Sequence, residues 1–188
     1  MPIQIHWEAA LTEENLSAIH LHPDLHAALL DMAQDFHAQG DNRFNLLLRG
    51  SNEIFFAFLR DLAADAQEDD LPPGMVPQST LWLLKDGSRL LGFSRLRRRM
   101  ESNLEEKGGQ ISVEIRPSER GKGYESELLR LTLKQAAALG MSEIILTCAE
   151  EDHEQRVMIE ASGGELVETR RLARSERSLR VYRLPCKA

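Results

Sequence analysis

The chain has little of what marks secreted, metal-binding or membrane-spanning proteins. It contains only two cysteines, Cys148 and Cys186, and their positions match neither a metal-binding motif nor a disulfide framework. No apolar run approaches the roughly 18 residues that a membrane-spanning helix requires. The first residues, MPIQIHWEAALTEEN, lack the basic start and the long apolar stretch of a signal peptide. These absences predict a cytoplasmic protein with no membrane partner and no bound metal.

Basic residues are in the minority as well. The 23 Lys and Arg residues against 30 Asp and Glu give a net charge of −7. Nucleic-acid binding needs a basic footprint, so this balance argues against a nucleic-acid partner. Three histidines lie close together, at His20, His22 and His26, but Pro23 starts a helix between them and disturbs the i, i+4 geometry of a metal pair. The composition therefore excludes several classes of function without choosing one.

Hydrophobic residues make up 42% of the 188 residues and aromatic residues only 5%, which is typical of one globular domain with its own core. We expect a single domain over residues 1–188, in which residues 1–75 form a helical N-terminal elaboration. The elements predicted for this part are a strand at Ile3, Ile5 and Trp7, helices over residues 22–40 and 51–66, and a proline-rich loop over 69–78.

Beyond residue 76 the pattern changes to strands. Two apolar runs flank Asp86-Gly87, which is a strong signal for a hairpin. The strand–helix–strand order from 110 to 148 indicates a parallel crossover, and a last hairpin is expected over 164–184. The sequence therefore predicts an α/β fold in which helices flank a mixed sheet, with residues 76–184 as its core.

The stretch EIRPSERGKGYESELLRL, residues 114–131, joins a strand to a helix through two glycines. A helix N-terminus exposes unpaired N–H groups and the positive end of its dipole, and glycines let several amides converge on an anion. Arg120 and Lys122 add positive charge. The stretch therefore predicts a phosphate or pyrophosphate site at 120–125, and a plain tight turn is the alternative. It is neither a P-loop, which needs Gly-Lys-Ser/Thr, nor a dinucleotide fingerprint, which needs a third glycine.

This stretch resembles motif A of the GNAT superfamily of N-acetyltransferases, Gln/Arg-x-x-Gly-x-Gly/Ala at a strand-to-helix turn. Arg120 and Gly123 match the motif in register, and Glu125 stands where the motif has glycine or alanine. The resemblance covers residues 76–184. VPQSTLWLLKDGSRLLGFSRLR is similar to the family's second and third strands, and LTCAEEDHEQRVMIEASGGELVE to its fifth strand, fourth helix and following glycine turn.

The resemblance implies acetyl-coenzyme A (acetyl-CoA) as co-substrate, no metal, and fourth and fifth strands that splay apart. In this family the amides of the turn hold the cofactor pyrophosphate, and the pantetheine arm pairs with the fourth strand. In the fourth helix the family often has asparagine and, three residues on, serine, where this chain has Asp152 and Gln155. The cofactor-binding residues that the resemblance implies are Val113, Ile115, Arg120, Gly121, Lys122, Gly123, Tyr124, Glu125 and Asp152.

Transfer of an acetyl group to an amine needs a base, because an ammonium group has a pKa of about 10. Glu114 is our candidate, as the only carboxylate in the strand expected to line the cleft. The alternative is that Glu114 faces solvent or pairs with an arginine of the neighbouring strand. The tyrosine that many family members use as general acid falls at Ile159, which cannot donate a proton. We assign Tyr124, Tyr182 and Cys148 to packing.

Arg95, Arg97 and Arg99 alternate along one predicted strand and therefore share a face. They either reach a cofactor phosphate or an anionic acceptor, or form a solvated face with salt bridges, which is our working interpretation. The sequence as a whole predicts an N-acetyltransferase that transfers an acetyl group from acetyl-CoA to a primary amine of a small molecule or peptide in a ternary complex. The alternative is a CoA- or acyl-CoA-binding sensor or interaction module, and either protein is compatible with a homodimer.

Overall fold

The structure, a computed structural model, describes residues 14–67, 71, 75–100, 109–171 and 178–186. The strand predicted at Ile3, Ile5 and Trp7 lies outside these residues. Within them, no helix has the length and apolar character needed to span a bilayer. The same residues contain no group of three or more His, Cys, Asp and Glu side chains placed to hold a metal ion.

The helices and strands follow the predicted order closely. Short 3-10 turns, Pro23–Leu25 and Pro117–Glu119, precede two of the helices. The elements are β1 (Leu16–Ile19), α1 (His26–Ala38), α2 (Asn45–Arg49), α3 (Asn52–Asp65), β2 (Gln78–Lys85), β3 (Arg89–Arg97), β4 (Ile111–Ile115), α4 (Tyr124–Ala138), β5 (Glu143–Ala149), α5 (His153–Ala161), β6 (Glu165–Arg171) and β7 (Ser178–Pro185).

The sequence prediction missed β1 and α2, for different reasons. The four residues of β1 form a strand because they pair with β2, with Leu16 opposite Lys85 and Ile19 opposite Trp82. This pairing joins segments that are far apart in the chain, so no local sequence pattern predicts the strand. The five residues of α2 are too few to show a helical period.

The strands form two sheets, ordered β1-β2-β3-β4 and β5-β7-β6. The predicted Asp-Gly hairpin is confirmed between β2 and β3, where Asp86 and Gly87 have φ values of 51° and 70°. The last hairpin, β6 with β7, is also confirmed. Every ladder in the described part of the chain is antiparallel, and β4 and β5, on either side of α4, share none.

Helices cover both faces of the first sheet. Helices α1, α2 and α3 pack on one face, around an aromatic core that contains Phe36, Phe44, Phe55, Trp82 and Phe93. On the other face, α4 and α5 cover a core that joins the two sheets, because it contains residues of β3 and β4 as well as β5 and β7. Its main members are Leu96, Ile111, Leu129, Leu133, Leu146, Ile159 and Tyr182. This shared core holds the two sheets together although β4 and β5 have no ladder.

Candidate active site

The two sheets diverge between β4 and β5 and leave backbone groups of β4 facing a gap. The N–H of Arg116 donates to Leu91 O and the N–H of Arg97 to Gln110 O, each over 2.8 Å. Backbone groups alternate in direction along a strand, so residues 112 and 114 also bond to β3 while Val113 and Ile115 point to the opposite edge. Among the residues that the structure describes, none hydrogen-bonds to the N–H or C=O of Val113.

Gln110 closes one end of this gap. Its N–H donates to Ile145 O over 2.8 Å, and its side-chain Oε1 accepts from the Ile145 N–H over 2.8 Å. One residue therefore makes both bonds of a ladder step, one of them with its side chain. Gly109 lies against the same strand, and a Cβ there would stand 2.4 Å from Ile145 O. Beyond this closed end the strands separate, as the sequence resemblance implied.

The turn before α4 presents a run of unpaired N–H groups. Gly121 and Gly123 have φ values of 73° and 86°, in the left-handed region that favours glycine. No side chain caps the helix at Gly123. The N–H groups of residues 121–126 find no acceptor in the described part of the chain, whereas the flanking N–H groups of Arg120 and Glu127 bond to Pro117 O and Gly123 O. Six consecutive donors at the positive end of a helix are suited to bind an anion, which makes this turn a candidate site.

The basic side chains of the turn are occupied by neighbours. Arg120 Nε donates to Ile115 O over 3.1 Å, and so returns to the end of β4. Lys122 Nζ bonds to Glu119 Oε2 over 2.8 Å. Glu119 is 7% exposed and binds Arg89 through its other oxygen. Neither Arg120 nor Lys122 therefore pairs with the first-turn carboxylate of Glu125.

Tyr124, the first residue of α4, is packed as expected. It is 3% exposed, and its hydroxyl donates to Glu14 Oε2 over 2.8 Å. Lys85 Nζ bonds to the same carboxylate over 2.7 Å. Burial and the hydrogen bond to Glu14 raise the pKa of Tyr124, so its hydroxyl keeps its proton and holds the helix start in place.

Glu114 lies on the other face of β4, beside the N-terminal helices. It stands opposite Phe93 in the register, and its Oε1 is 3.2 Å from Nη1 of Arg43. Arg43 precedes α2, so the ion pair involves an arginine of the helical part and not the neighbouring strand. The guanidinium of Arg43 also binds Asp41 and stacks on the Phe36 ring, with Cζ 5.1 Å from the centroid. The side chain of Glu114 is 36% exposed and therefore accessible to an acceptor.

A comparison of the sequence with profiles of known protein families identifies the family of this chain. The profile of the acetyltransferase (GNAT) family matches residues 45–163, which is well over half of the chain. The protein belongs to this family. The matched range includes α2 and α3 and stops before the last hairpin. No curated protein matches the sequence.

Solved structures of GNAT proteins share the fold at low sequence identity. The microcin C7 self-immunity acetyltransferase MccE, in complex with acetyl-CoA and AMP, has a TM-score of 0.62 at 10% identity, with 92% of this chain and 93% of that one covered. The acetyltransferase from Salmonella typhimurium that modifies the N-terminal serine of ribosomal protein L7/L12 gives 0.59 at 12%, covering 92% and 95%. The putative acetyltransferase yncA from Salmonella typhimurium, with its cofactor acetyl-CoA, gives 0.56 at 12%, covering 93% and 95%. These likenesses establish the fold.

Two positions of the GNAT pattern lie at α5. Asp152 caps this helix, because its Oδ1 accepts from the N–H of Gln155 over 3.0 Å. Cofactor binding by Asp152 stays a prediction. Ile159, which the sequence resemblance assigns to the family's tyrosine position, is 2% exposed and belongs to the core under α4 and α5. The nearby hydroxyl of Tyr182 donates to Glu160 Oε1 over 2.8 Å, so it is held inside the fold.

Sequence reasoning missed three residues that shape the site. Gln110 sets the closed end of the gap, Arg43 binds the candidate base, and Arg116 fixes the turn through Asp35. The sequence signal for Gln110 is a polar residue between Gly109 and an apolar strand. Arg43 and Arg116 carry no such signal, because their partners lie far away in the chain. Arg97 was misjudged, since it is 7% exposed and not on a solvated face.

Proposed function

We propose that this GNAT protein transfers an acetyl group from acetyl-CoA to a primary amine of a small molecule or peptide, by direct attack in a ternary complex. The observation that carries the proposal is the run of six unpaired N–H groups at residues 121–126, at the entrance of the gap between β4 and β5. An anion site beside an unpaired strand edge suits a ligand with a pyrophosphate and an amide-containing arm. The acetyl-CoA complexes of MccE and yncA support the same ligand.

The residues present fit acetyl-CoA, which supplies the activated acyl group as a thioester. The N–H groups of 121–126 would hold the pyrophosphate, and the free C=O of Val113 would accept from a pantetheine amide. Ile115 would contribute its N–H, and its carbonyl already accepts one bond from Arg120. The carboxylate of Glu125 lies in the first turn of α4 and opposes an anion there.

Glu114 is the proposed base. It takes the proton that the amine must lose, directly or through water, so that the nitrogen lone pair attacks the acyl carbon. A C–N bond forms and the C–S bond breaks, and the sulfur leaves with the bonding electron pair and takes up the second proton that the nitrogen loses. Negative charge that develops on the acyl oxygen needs an N–H donor, and the N–H of Val113 faces the gap for this role. No protein nucleophile is needed.

A CoA-binding sensor is the second candidate. Ile159 at the family's general-acid position and Glu125 in the first helical turn favour it, because the first removes a proton donor and the second weakens anion binding. A panel of amines separates the two functions, since a sensor binds acetyl-CoA without turnover. The homodimer and the cytoplasmic location stay predictions from the sequence.

Calorimetric titration with acetyl-CoA and CoA tests the cofactor site. Gly121 and Gly140 lie just outside opposite ends of α4, have φ values of 73° and 81°, and have open space at the Cβ position. Gly121→Asp and Gly140→Asp therefore introduce the same residue into the same backbone conformation. We expect the unchanged protein and Gly140→Asp to bind alike, and Gly121→Asp to bind at least about tenfold more weakly, because its carboxylate meets the pyrophosphate.

Two outcomes would contradict this proposal. Absence of binding by the unchanged protein would exclude both the transferase and the sensor. Equal affinities of the two aspartate variants would move the cofactor away from the turn.

A further inference from the structure

Two arginines extend the face of the sheet that carries Glu114. Phe93, Arg95 and Arg97 alternate along β3 and share this face, and their partners on β4 are Glu114, Ser112 and Gln110. Diagonal neighbours in an antiparallel pair are about 7–8 Å apart, within reach of long side chains. Arg95 and Glu114 are therefore diagonal neighbours on one face of the sheet.

Neither arginine is neutralised by a carboxylate of the described residues. Arg97 is 7% exposed, and Nη1 donates to Gly109 O over 2.9 Å. Arg95 lies over the Phe93 ring, with Cζ 5.3 Å from its centroid. Asp65, at the end of α3, accepts from Gln78, the β2 neighbour of Arg97, and not from either arginine. Burial, and then the charge of Arg95, lower the pKa of Arg97, as expected for two adjacent cations.

Neither arginine is placed to serve a pyrophosphate at the turn 120–125. Arg97 stands beside Gln110, five residues before the end of β4 at Ile115, which is about 16 Å along a strand. They also lie on the face opposite to α4, because the alternate residues of β4, such as Ile115, pack against Tyr124 and Leu128. A buried, unneutralised guanidinium is costly, so it points to an anion from outside the described chain.

We infer that the acceptor amine carries an anionic oxyacid group, a carboxylate or a phosphate, and that Arg95 and Arg97 bind this group while Glu114 faces the amine. The inference rests on the proposed function for the role of Glu114. The N–H groups of a planar guanidinium can bind two oxygens of either anion at once. The Phe93 ring, over which Arg95 lies, holds this side chain in place before the anion binds. The positive charges of Arg95 and Arg97 thus favour an acidic acceptor at this face, although the net charge of the whole chain is −7.

Binding to the CoA-saturated protein tests this inference without turnover. The probes are two matched pairs, β-alanine with β-alaninamide and 2-aminoethyl phosphate with ethanolamine, each titrated by calorimetry. We expect the anionic member of at least one pair to bind about tenfold or more tightly than its neutral partner. The pair with the larger preference identifies the anion.

Arg95→Met removes the charge but keeps a chain that covers Phe93. Arg183→Met is the matched control, because it removes the same charge from the other sheet, where Arg183 is 50% exposed beside Glu143. The preference for the anionic probe should fall about tenfold or more in Arg95→Met and persist in Arg183→Met. Equal binding within both pairs, or a preference that survives Arg95→Met, would overturn the inference.

Acetylation of the same amines is measured in parallel. Anion-dependent binding without acetylation would support the anion site and contradict the transferase. Acetylation without preference for the anionic amines would support the transferase and overturn the anion site. The two proposals therefore fail separately.

Discussion

Arg116 ties the first helix to the turn that precedes α4 through Asp35. Its Nε donates to Asp35 Oδ2 over 2.8 Å, and Nη1 donates to Asp31 Oδ2 over 2.7 Å. The same oxygen of Asp35 accepts from the N–H and Oγ of Ser118, over 3.2 and 2.5 Å. One carboxylate on α1 thus binds the residue before the 3-10 turn and the middle residue of that turn, so the helical part fixes the start of the segment that leads to the candidate cofactor turn.

Replacing Arg116 by Met should lower the free energy of unfolding by about 2–3 kcal/mol, because two carboxylates lose a largely buried partner. Arg130→Met is the control, since its pair with Glu127 lies on the surface and should contribute under about 0.5 kcal/mol. Urea unfolding at pH 7 measures both. Equal losses would show that the Arg116 network contributes no more than a surface pair.

The contribution of Asp35 should depend on pH. Burial raises the pKa of Asp35, but the bonds from Ser118 and Arg116 outweigh it and hold the pKa below its usual range. A depressed pKa gives stability that is present above the unfolded value of about 3.9 and is lost as the pH falls through the folded value. The difference in unfolding free energy between wild type and Asp35→Asn should therefore be larger at pH 7 than at pH 3. A difference that does not change with pH would contradict this account.

Glu114→Gln should lower kcat about a hundredfold or more if Glu114 is the base, because positioned bases contribute at least that factor. The affinity for acetyl-CoA should stay the same, since Glu114 lies on the face away from α4. Glu143→Gln, an exposed carboxylate on β5, is the control. Steady-state rates and calorimetry check both expectations. An unchanged kcat for Glu114→Gln would remove it from the mechanism.

Glu125→Gln should change stability and cofactor affinity in opposite directions. A first-turn carboxylate stabilises an empty helix by about 0.3–1 kcal/mol, so the free protein should lose about that much. Acetyl-CoA should bind about two- to fivefold more tightly, because a repulsion of similar size disappears. Glu127→Gln is the matched control in the same turn, since Arg130 already neutralises Glu127 through two bonds of 2.8 and 2.7 Å. Weaker binding by Glu125→Gln would show that Glu125 contributes to the cofactor site.

Cys148 should react slowly with iodoacetamide at pH 8. Burial, followed by the charge of Asp152, raises the pKa of Cys148 to about 11, so only about 0.1% is thiolate at that pH. Labelling of a Cys186→Ser protein should therefore speed up about tenfold per pH unit between pH 8 and 10. The reciprocal Cys148→Ser protein, which keeps the more exposed Cys186, should be labelled faster. Equal rates of the two proteins would contradict the burial of Cys148.

Local patterns were enough to locate the candidate cofactor turn. A left-handed backbone at Gly121 and Gly123, a helix that begins at Tyr124 and a strand that ends at Ile115 all depend on neighbouring residues. The resemblance to the GNAT motif therefore pointed to a segment that does form a glycine turn at the start of a helix. The Asp86-Gly87 hairpin was predictable for the same reason, because positive φ values restrict the residues that fit.

The sequence by itself determined the position of the turn and the order of the elements other than β1 and α2, since helical periods, strand alternation and glycine conformations are local properties. Only the tertiary structure decided which side chains meet. The partners of Glu114 and Arg116 are Arg43 and Asp35, which come from the helical part of the chain. These contacts form because hydrophobic burial packs α1 and α2 against the sheet. The hydrophobic effect is non-directional, so the sequence pattern that predicts burial does not predict which polar side chains will meet.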